Sequence, residues 1–361
     1  MGTFHAKGVA LAVFRSITVA FTLIAVWISV LASAAPGMPT PGQANAAPEA
    51  PPQISGESAV VLDGVTGDIL YQKNSHAHVA PASVTKIATA IVAIENIDVH
   101  RRVVVDFDSY QMVVDTGSTV MGLKPGDNRS IEDLLYGLML PSGNDAAVVI
   151  ARTVGGTEAN FVEMMNEKVK SLGLHDTHFS NPHGLDADDH YSSAYDMAAL
   201  SFYGMRYPLF RSLSEAKKYE IKGNRPYTLW NLNKLLYNYD GADGVKIGYT
   251  ENALETIVAS ATRGGQKLIV AVMRSNSRYS DATLLLDYYF KALKQGEVTR
   301  IPAPTATPLP TSVPPTATPS PPTAVSVPAR SPTAPTGDNS DLLTAILNTL
   351  SAISNAIRGL F

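Results

Sequence analysis

Three short segments, far apart in the chain, carry residue types able to do acyl chemistry together: Ser83-Val84-Thr85-Lys86, Ser142-Gly143-Asn144 and Lys246-Ile247-Gly248. A serine hydroxyl is a poor nucleophile until a nearby base takes its proton, and the nearest candidate base is a lysine one helical turn away. If Ser83 begins a helix, Lys86 shares its face and brings its amine within reach of the hydroxyl. A helix start also supplies unpaired backbone N–H groups and partial positive charge, both favourable to the oxyanion formed when a hydroxyl attacks a carbonyl. To accept a proton near neutral pH, Lys86 must be uncharged, far from its ordinary pKa of about 10.4, and burial plus a second cation can do that. Lys246 is the candidate second cation. The Ser142 segment follows Leu140-Pro141 and falls between two helical patterns, so it reads as a tight corner. Its serine can relay a proton to a leaving group, and its asparagine amide can hold a peptide carbonyl. Singly, each segment has a plain alternative: an N-cap with a solvated lysine, or a turn capping the next helix. Order and spacing together point to one site.

The elements that must position these residues follow from periodicity. Ala59–Leu62 and Ile69–Tyr71 flank a Gly-containing loop and predict a β-hairpin. Apolar residues at steps of three and four predict helices over Ser83–Glu95, Ile131–Leu140, Asp145–Val154, Glu158–Leu172, Ala194–Tyr203 and Asp281–Leu293. Strand signals return at Tyr227–Leu229, Gly244–Ile247, Thr256–Ser260 and Leu268–Val272. The expected class is α+β, with one antiparallel sheet built from both ends of the domain and a helical cluster around it.

The 361 residues carry a formal net charge of −4 and only 17% charged side chains, so no basic excess exists to bind nucleic acid. Cysteine is absent, which excludes disulfides and thiolate metal sites. Residues 1–35, with Lys7 and Arg15 ahead of an apolar run ending in Ala32-Ser33-Ala34, read as a signal peptide or an N-terminal anchor. Either way, the rest of the chain is expected outside the cytoplasmic membrane, in the cell envelope. Residues 36–53 are Pro/Ala-rich and read as a tether; 54–296 hold the catalytic domain; 301–337 form a Pro/Thr-rich linker of polyproline II character. In 341–361, Leu342, Ile346, Leu350, Ile353, Ile357 and Leu360 make one apolar stripe, predicting an amphipathic helix suited to a membrane surface, or else to a protein partner. His76 with His78, and the run from His183 to His190, lack the usual zinc-ligand spacings, so no metal is expected.

Val79–Lys86, Leu140–Ala146, Phe179–Leu185 and Asp243–Thr250, taken with their order, resemble the D-alanyl-D-alanine carboxypeptidases, low-molecular-mass penicillin-binding proteins of the serine peptidase type. The resemblance implies a β-lactamase/transpeptidase-like fold, no cofactor, β-lactams as covalent inhibitors, and a peptidoglycan stem peptide ending in D-Ala-D-Ala as substrate. It implies Ser83 as nucleophile of an acyl-enzyme, Lys86 as base, Ser142 and Asn144 as the second element, and Lys246 with Gly248 in the third. Backbone N–H groups of Ser83 and Tyr249 would form the oxyanion hole. The family's third segment carries Thr or Ser where this chain has Ile247, so a hydroxyl that helps bind the substrate's terminal carboxylate is missing. Such a bond to a charged group is worth about 1.5 to 3 kcal/mol, or about 10- to 150-fold in transition-state binding. Arg278, or else Arg274, is the candidate to hold that carboxylate instead. Two functions are therefore carried forward: a carboxypeptidase with weakened carboxylate recognition, and a wall-binding or regulatory pseudoenzyme of the same fold.

Overall fold

A computed structural model describes residues 50–302 and 323–325. The chain divides into two units, Met1–Pro51 and Pro52–Phe361, and the first is described only at its last two residues. The expected signal segment, most of the first tether and linker, and the helix at 341–361 thus lie outside the described residues.

The central sheet has five strands in the order β2-β1-β9-β8-β7, all pairs antiparallel: β1 Ser58–Asp63, β2 Ile69–Lys73, β7 Ala242–Thr250, β8 Leu254–Arg263 and β9 Gln266–Ser275. The sheet is built from both ends of the domain, as the pattern of elements predicts. Along β1 and β9, alternate residues go to opposite cores. Val60, Leu62, Ile269, Ala271 and Met273 join the helical side, whereas Ala59, Val61, Leu268, Val270 and Val272 pack with Leu285, Leu286 and Tyr289 of the last helix. Both faces are covered, so these strands read as near-continuous apolar runs rather than as alternating ones.

On the helical side lie α1 Lys86–Asn96, α3 Ile131–Met139, α4 Asn144–Gly155, α5 Glu158–Ser171 and α6 Ala194–Gly204, with a shorter α2 at Tyr110–Thr116 and α7 at Pro208–Glu215. Their boundaries are set locally. Ser130 and Asp133 form a reciprocal capping box at α3, and the Thr157 and Ser193 hydroxyls accept the Asn160 and Asp196 N–H groups at the starts of α5 and α6. The opposite face carries α9, Arg278–Gln295, and a short α8 spans Leu235–Asn238.

Three features differ from the sequence expectations. Tyr227–Trp230 (β6) does not join the central sheet; it pairs with Lys218–Ile221 (β5) as a separate two-stranded hairpin. Arg102–Val105 (β3) pairs with Asn128–Ser130 (β4), and Thr323–Val325 (β10), inside the expected spacer, lies parallel to β3. These strands are three or four residues long, too short to show a period. The folded backbone also runs past 296, because Ile301 exchanges both backbone hydrogen bonds with Ile69, at 2.8 and 2.9 Å.

Asp281 joins the chain start to α9. Its carboxylate accepts the Ser55 and Gly56 N–H groups and the Ser55 and Ser275 hydroxyls, all within 3.1 Å. These donors outweigh burial and hold its pKa below the usual carboxylate range. A group with a depressed folded-state pKa stabilises fully above its unfolded pKa and loses that contribution as the pH falls through the folded one. Asp281→Ala should cost about 2 to 4 kcal/mol in denaturant unfolding at neutral pH and weaken the dependence of stability on pH between about pH 5 and 2.

Candidate active site

The segment before α1 is not the α-helical start that the spacing predicts. Ala82 adopts φ +52°, and Ala82–Thr85 form one turn of 3-10 helix before α1 begins at Lys86. In a 3-10 turn side chains three apart eclipse, so Ser83 and Lys86 are stacked more directly than in an α-helix. The Lys86 amine lies 3.0 Å from Ser83 Oγ. Two glycines press on this turn. A Cβ on Gly184, whose φ is +93°, would come 2.0 Å from the Ala82 carbonyl oxygen, and one on Gly248 would come 2.7 Å from the Ser83 nitrogen. The Thr256 hydroxyl donates to the Pro81 carbonyl at 3.1 Å and ties the turn to β8.

Lys86 is fully buried and has two further neighbours: Asn144 Oδ1 and the His183 carbonyl oxygen, each at 2.7 Å. Burial drives its pKa well below the ordinary lysine range, the charge of Lys246 pushes the same way, and Asp145 opposes both. An uncharged amine has two hydrogens and one lone pair. With the Asn144 and His183 oxygens taking the hydrogens, the lone pair is left for the Ser83 O–H.

The Ser142 corner precedes α4. Ser142 has φ +66°, is 5% exposed, and its hydroxyl has no hydrogen-bond partner among the described residues. A non-glycine residue in this region costs of order 1 to 3 kcal/mol and persists only where its surroundings enforce it. Gly143 is required beside it, because a Cβ there would meet the Met121 nitrogen at 2.8 Å and the Gly137 carbonyl at 2.9 Å.

The third segment lies on β7, an edge strand. Lys246 pairs with Val258 and Ile247 with Ile257, so Lys246 faces the helical side while Ile247 packs on the α9 side. Lys246 is 2% exposed and donates to the Ile247 carbonyl at 3.0 Å; burial, aided by the charge of Arg278, pushes its pKa down to about 7. Tyr249 continues the strand with an exposed ring. Arg278 lies behind the segment. Its guanidinium donates to the Gly248 and Thr256 carbonyls and pairs with Glu255 at 3.1 Å. Arg274 is held elsewhere, by Glu57 at 2.8 Å and the Asn252 carbonyl, and so is not brought to the site.

Contacts thus unite Ser83, Lys86 and Asn144 directly, and set Gly248 against Ser83, with Lys246 acting on Lys86 through its charge. Sequence reasoning missed the His183 carbonyl and Gly184, which it noted only within the Phe179–Leu185 block and as a histidine run without zinc-ligand spacing. Their part is played by backbone, which residue type does not advertise. The His190 ring is buried and His183 is partly buried; desolvation keeps both rings uncharged near neutral pH, their pKa values pushed down to about 3 for His183 and about 4 for His190. His190 Nδ1 accepts the Ser180 N–H at 3.0 Å, which leaves its proton on Nε2 to donate to the Thr85 hydroxyl at 2.9 Å.

The family model described as D-alanyl-D-alanine carboxypeptidase matches residues 44–277, well over half of the chain. The chain belongs to this family. It is 36% identical over 240 residues to the D-alanyl-D-alanine carboxypeptidase DacF of Bacillus subtilis, covering 65% of this chain and 62% of that one. It is 41% identical over 238 residues to DacD of Escherichia coli, covering 63% and 60%. The matched region therefore spans about 60% of the length of these curated relatives. The crystal structure of the Streptomyces K15 DD-transpeptidase superposes with a TM-score of 0.64 at 33% identity, covering 67% of this chain and all of that one. The transpeptidase-like α+β fold is thereby established for the domain.

The two lysines should titrate far apart. In ¹⁵N-lysine NMR, the Lys246 amine is expected to titrate near 7, with Lys86 well below the ordinary lysine range. Lys246→Met should raise the Lys86 midpoint, because a neighbouring positive charge is removed.

Proposed function

We propose that this protein is a serine-type D-Ala-D-Ala carboxypeptidase that removes the terminal D-Ala from peptidoglycan stem peptides. The observation that carries this reading is the buried Lys86 amine, with Asn144 Oδ1 and the His183 carbonyl at 2.7 Å and Ser83 Oγ at 3.0 Å. Lys86 takes the Ser83 proton as Oγ attacks the penultimate D-Ala carbonyl. The oxyanion is met by the Ser83 and Tyr249 N–H groups. The Ser142 hydroxyl, without a partner among the described residues, is suited to relay the Ser83 proton from Lys86 to the departing D-Ala amine, and water then hydrolyses the acyl-enzyme. Asn144, Lys246 and Gly248 line the substrate side. The family's description and the relatives' names support this substrate class, and an acyl-enzyme on Ser83 would also be trapped covalently by β-lactams.

Ile247 favours a second reading, a pseudoenzyme that binds stem peptide with little turnover. Its side chain packs on the α9-side core and offers no hydroxyl to a terminal carboxylate. Arg278 is the remaining candidate for that carboxylate, although much of its guanidinium is engaged by Gly248, Thr256 and Glu255. The carboxypeptidase reading prevails because the nucleophile and base are intact, so the missing hydroxyl slows the reaction without abolishing it.

A fluorescent penicillin should label Ser83, as read by peptide mapping, and a folded protein that stays unlabelled would refute the proposal. Release of free D-Ala from a synthetic acyl-D-Ala-D-Ala peptide separates the carboxypeptidase from the pseudoenzyme. Ile247 is only half-buried at the sheet edge, so the hydroxyl of Ile247→Thr is not sealed in the core; that variant should raise the rate by about 10- to 150-fold, and an unchanged rate would mean that the hydroxyl is not limiting.

The same reading places the domain outside the cytoplasmic membrane, with residues 341–361 resting on the membrane surface through their apolar stripe. Deleting 341–361 should move the protein from the membrane fraction to the soluble one on cell fractionation.

A further inference from the structure

Asp145 follows directly after Asn144, yet acyl transfer as written above gives it no part. Its side chain is fully buried, and each carboxylate oxygen accepts two backbone N–H groups. Oδ1 takes Met121 and Ala146 at 2.8 and 2.9 Å, and Oδ2 takes Gly122 and Leu123, both at 3.0 Å. Three of these four donors come from the 119–123 segment. That segment grips the corner twice more: the Asn144 N–H donates to the Thr119 carbonyl at 2.9 Å, and the Thr119 hydroxyl donates to the Ser142 carbonyl at 2.8 Å. Its far end is anchored too. Arg225, from the β5–β6 turn, donates to the Gly122 carbonyl and to Asp127, which accepts the Lys124 N–H at 2.9 Å and the buried Arg129 guanidinium at 2.8 Å.

We propose that Asp145 is the positioning residue of this site: its carboxylate clamps the 119–123 segment to the Ser142–Asn144 corner and so fixes the Asn144 amide on the Lys86 amine. The clamp explains how Ser142 is kept in its left-handed conformation, since the Thr119 hydroxyl holds its carbonyl, the Thr119 carbonyl holds the Asn144 N–H, and Asp145 holds the backbone of 121–123 that follows. It also puts one negative charge beside an amine otherwise faced by positive or neutral groups. Lys246 approaches Lys86 from β7 with Arg278 of α9 behind it, and His183 and His190 approach from the 179–191 loop, both uncharged near neutral pH. Asp145 thereby limits how far the Lys86 pKa falls.

This inference rests on Lys86 serving as base to Ser83, and its test separates the two ideas. Acylation of the full chain by a fluorescent penicillin is followed by stopped flow across pH, with hydrogen exchange at the Met121–Leu123 amides measured alongside. Asp145→Asn keeps the shape but turns an NH₂ toward one pair of N–H donors. It should slow acylation by about 10- to 150-fold, which corresponds to one charge-assisted hydrogen bond, and speed exchange at Met121–Leu123. It should also move the acid limb of the profile to lower pH, because Lys86 then loses the charge that favours its protonated form. A purely structural role would leave that limb in place. A folded Asp145→Asn protein with the wild-type rate and limb overturns the proposal. If Asp145→Asn does not fold, Thr119→Val decides: acylation slowed about 2- to 10-fold with an unmoved limb supports the clamp, and the wild-type rate overturns it. If the wild type itself is not labelled, the reading of function falls, and the clamp stands or falls on exchange at Met121–Leu123 alone.

Discussion

Everything in this site depends on removing water from one amine. Lys86 is an ordinary lysine until it is buried, and burial is the largest cause of its lowered pKa, ahead of the charge of Lys246, with Asp145 opposing both. Dehydration alone would leave a costly orphan in the interior. The Asn144 and His183 oxygens offset that cost, and the remaining lone pair faces Ser83. The same three contacts therefore make the group tolerable to the fold and competent for chemistry.

Holding those contacts requires backbone in unusual states at several points. Ala82 and Ser142 both adopt left-handed conformations, and both adjoin residues of the site. Strain of that kind lasts only where neighbours over-determine it. Around Ala82 the neighbours are Gly184, Gly248 and Thr256; around Ser142 they are Thr119, Gly143 and Asp145. The two cores, one on each face of the sheet, supply the rigid frame to which those neighbours belong. Within it charge is graded from Arg278 to Lys246 to Lys86: burial, with Arg278 adding to it, brings the Lys246 pKa down to about 7, and the charge of Lys246 in turn lowers that of Lys86.

Much of this was legible in the sequence. Apolar periodicity located the long helices and central strands because each contributes a wide face to a core, and residue chemistry singled out Ser83, Lys86, Ser142, Asn144 and Lys246, of which Ser83, Lys86 and Asn144 are in direct contact. What stayed hidden was mediated by backbone or by shape. The 3-10 turn at Ala82–Thr85 arises from tertiary contacts with two glycines, the β5–β6 hairpin is too short to show its period, and the His183 carbonyl belongs to a residue whose ring suggested other chemistry. Ile247 was legible as a departure, but only strand register revealed that it points to the α9 side while Lys246 points to the helices.

The pressure of Gly184 and Gly248 on either side of the Ser83 turn divides the cleft into parts that can and cannot vary. Any side chain at those two positions would displace the Ser83 turn itself, so these walls are closed to tailoring. Trp230, Leu232 and Tyr249 are different: each is large, apolar and solvent-facing, and Leu232 is bonded through its N–H to the Leu140 carbonyl, two residues before Ser142. Change, whether by drift or by an engineer, has room to act on those exposed side chains while the Ser83 turn stays frozen.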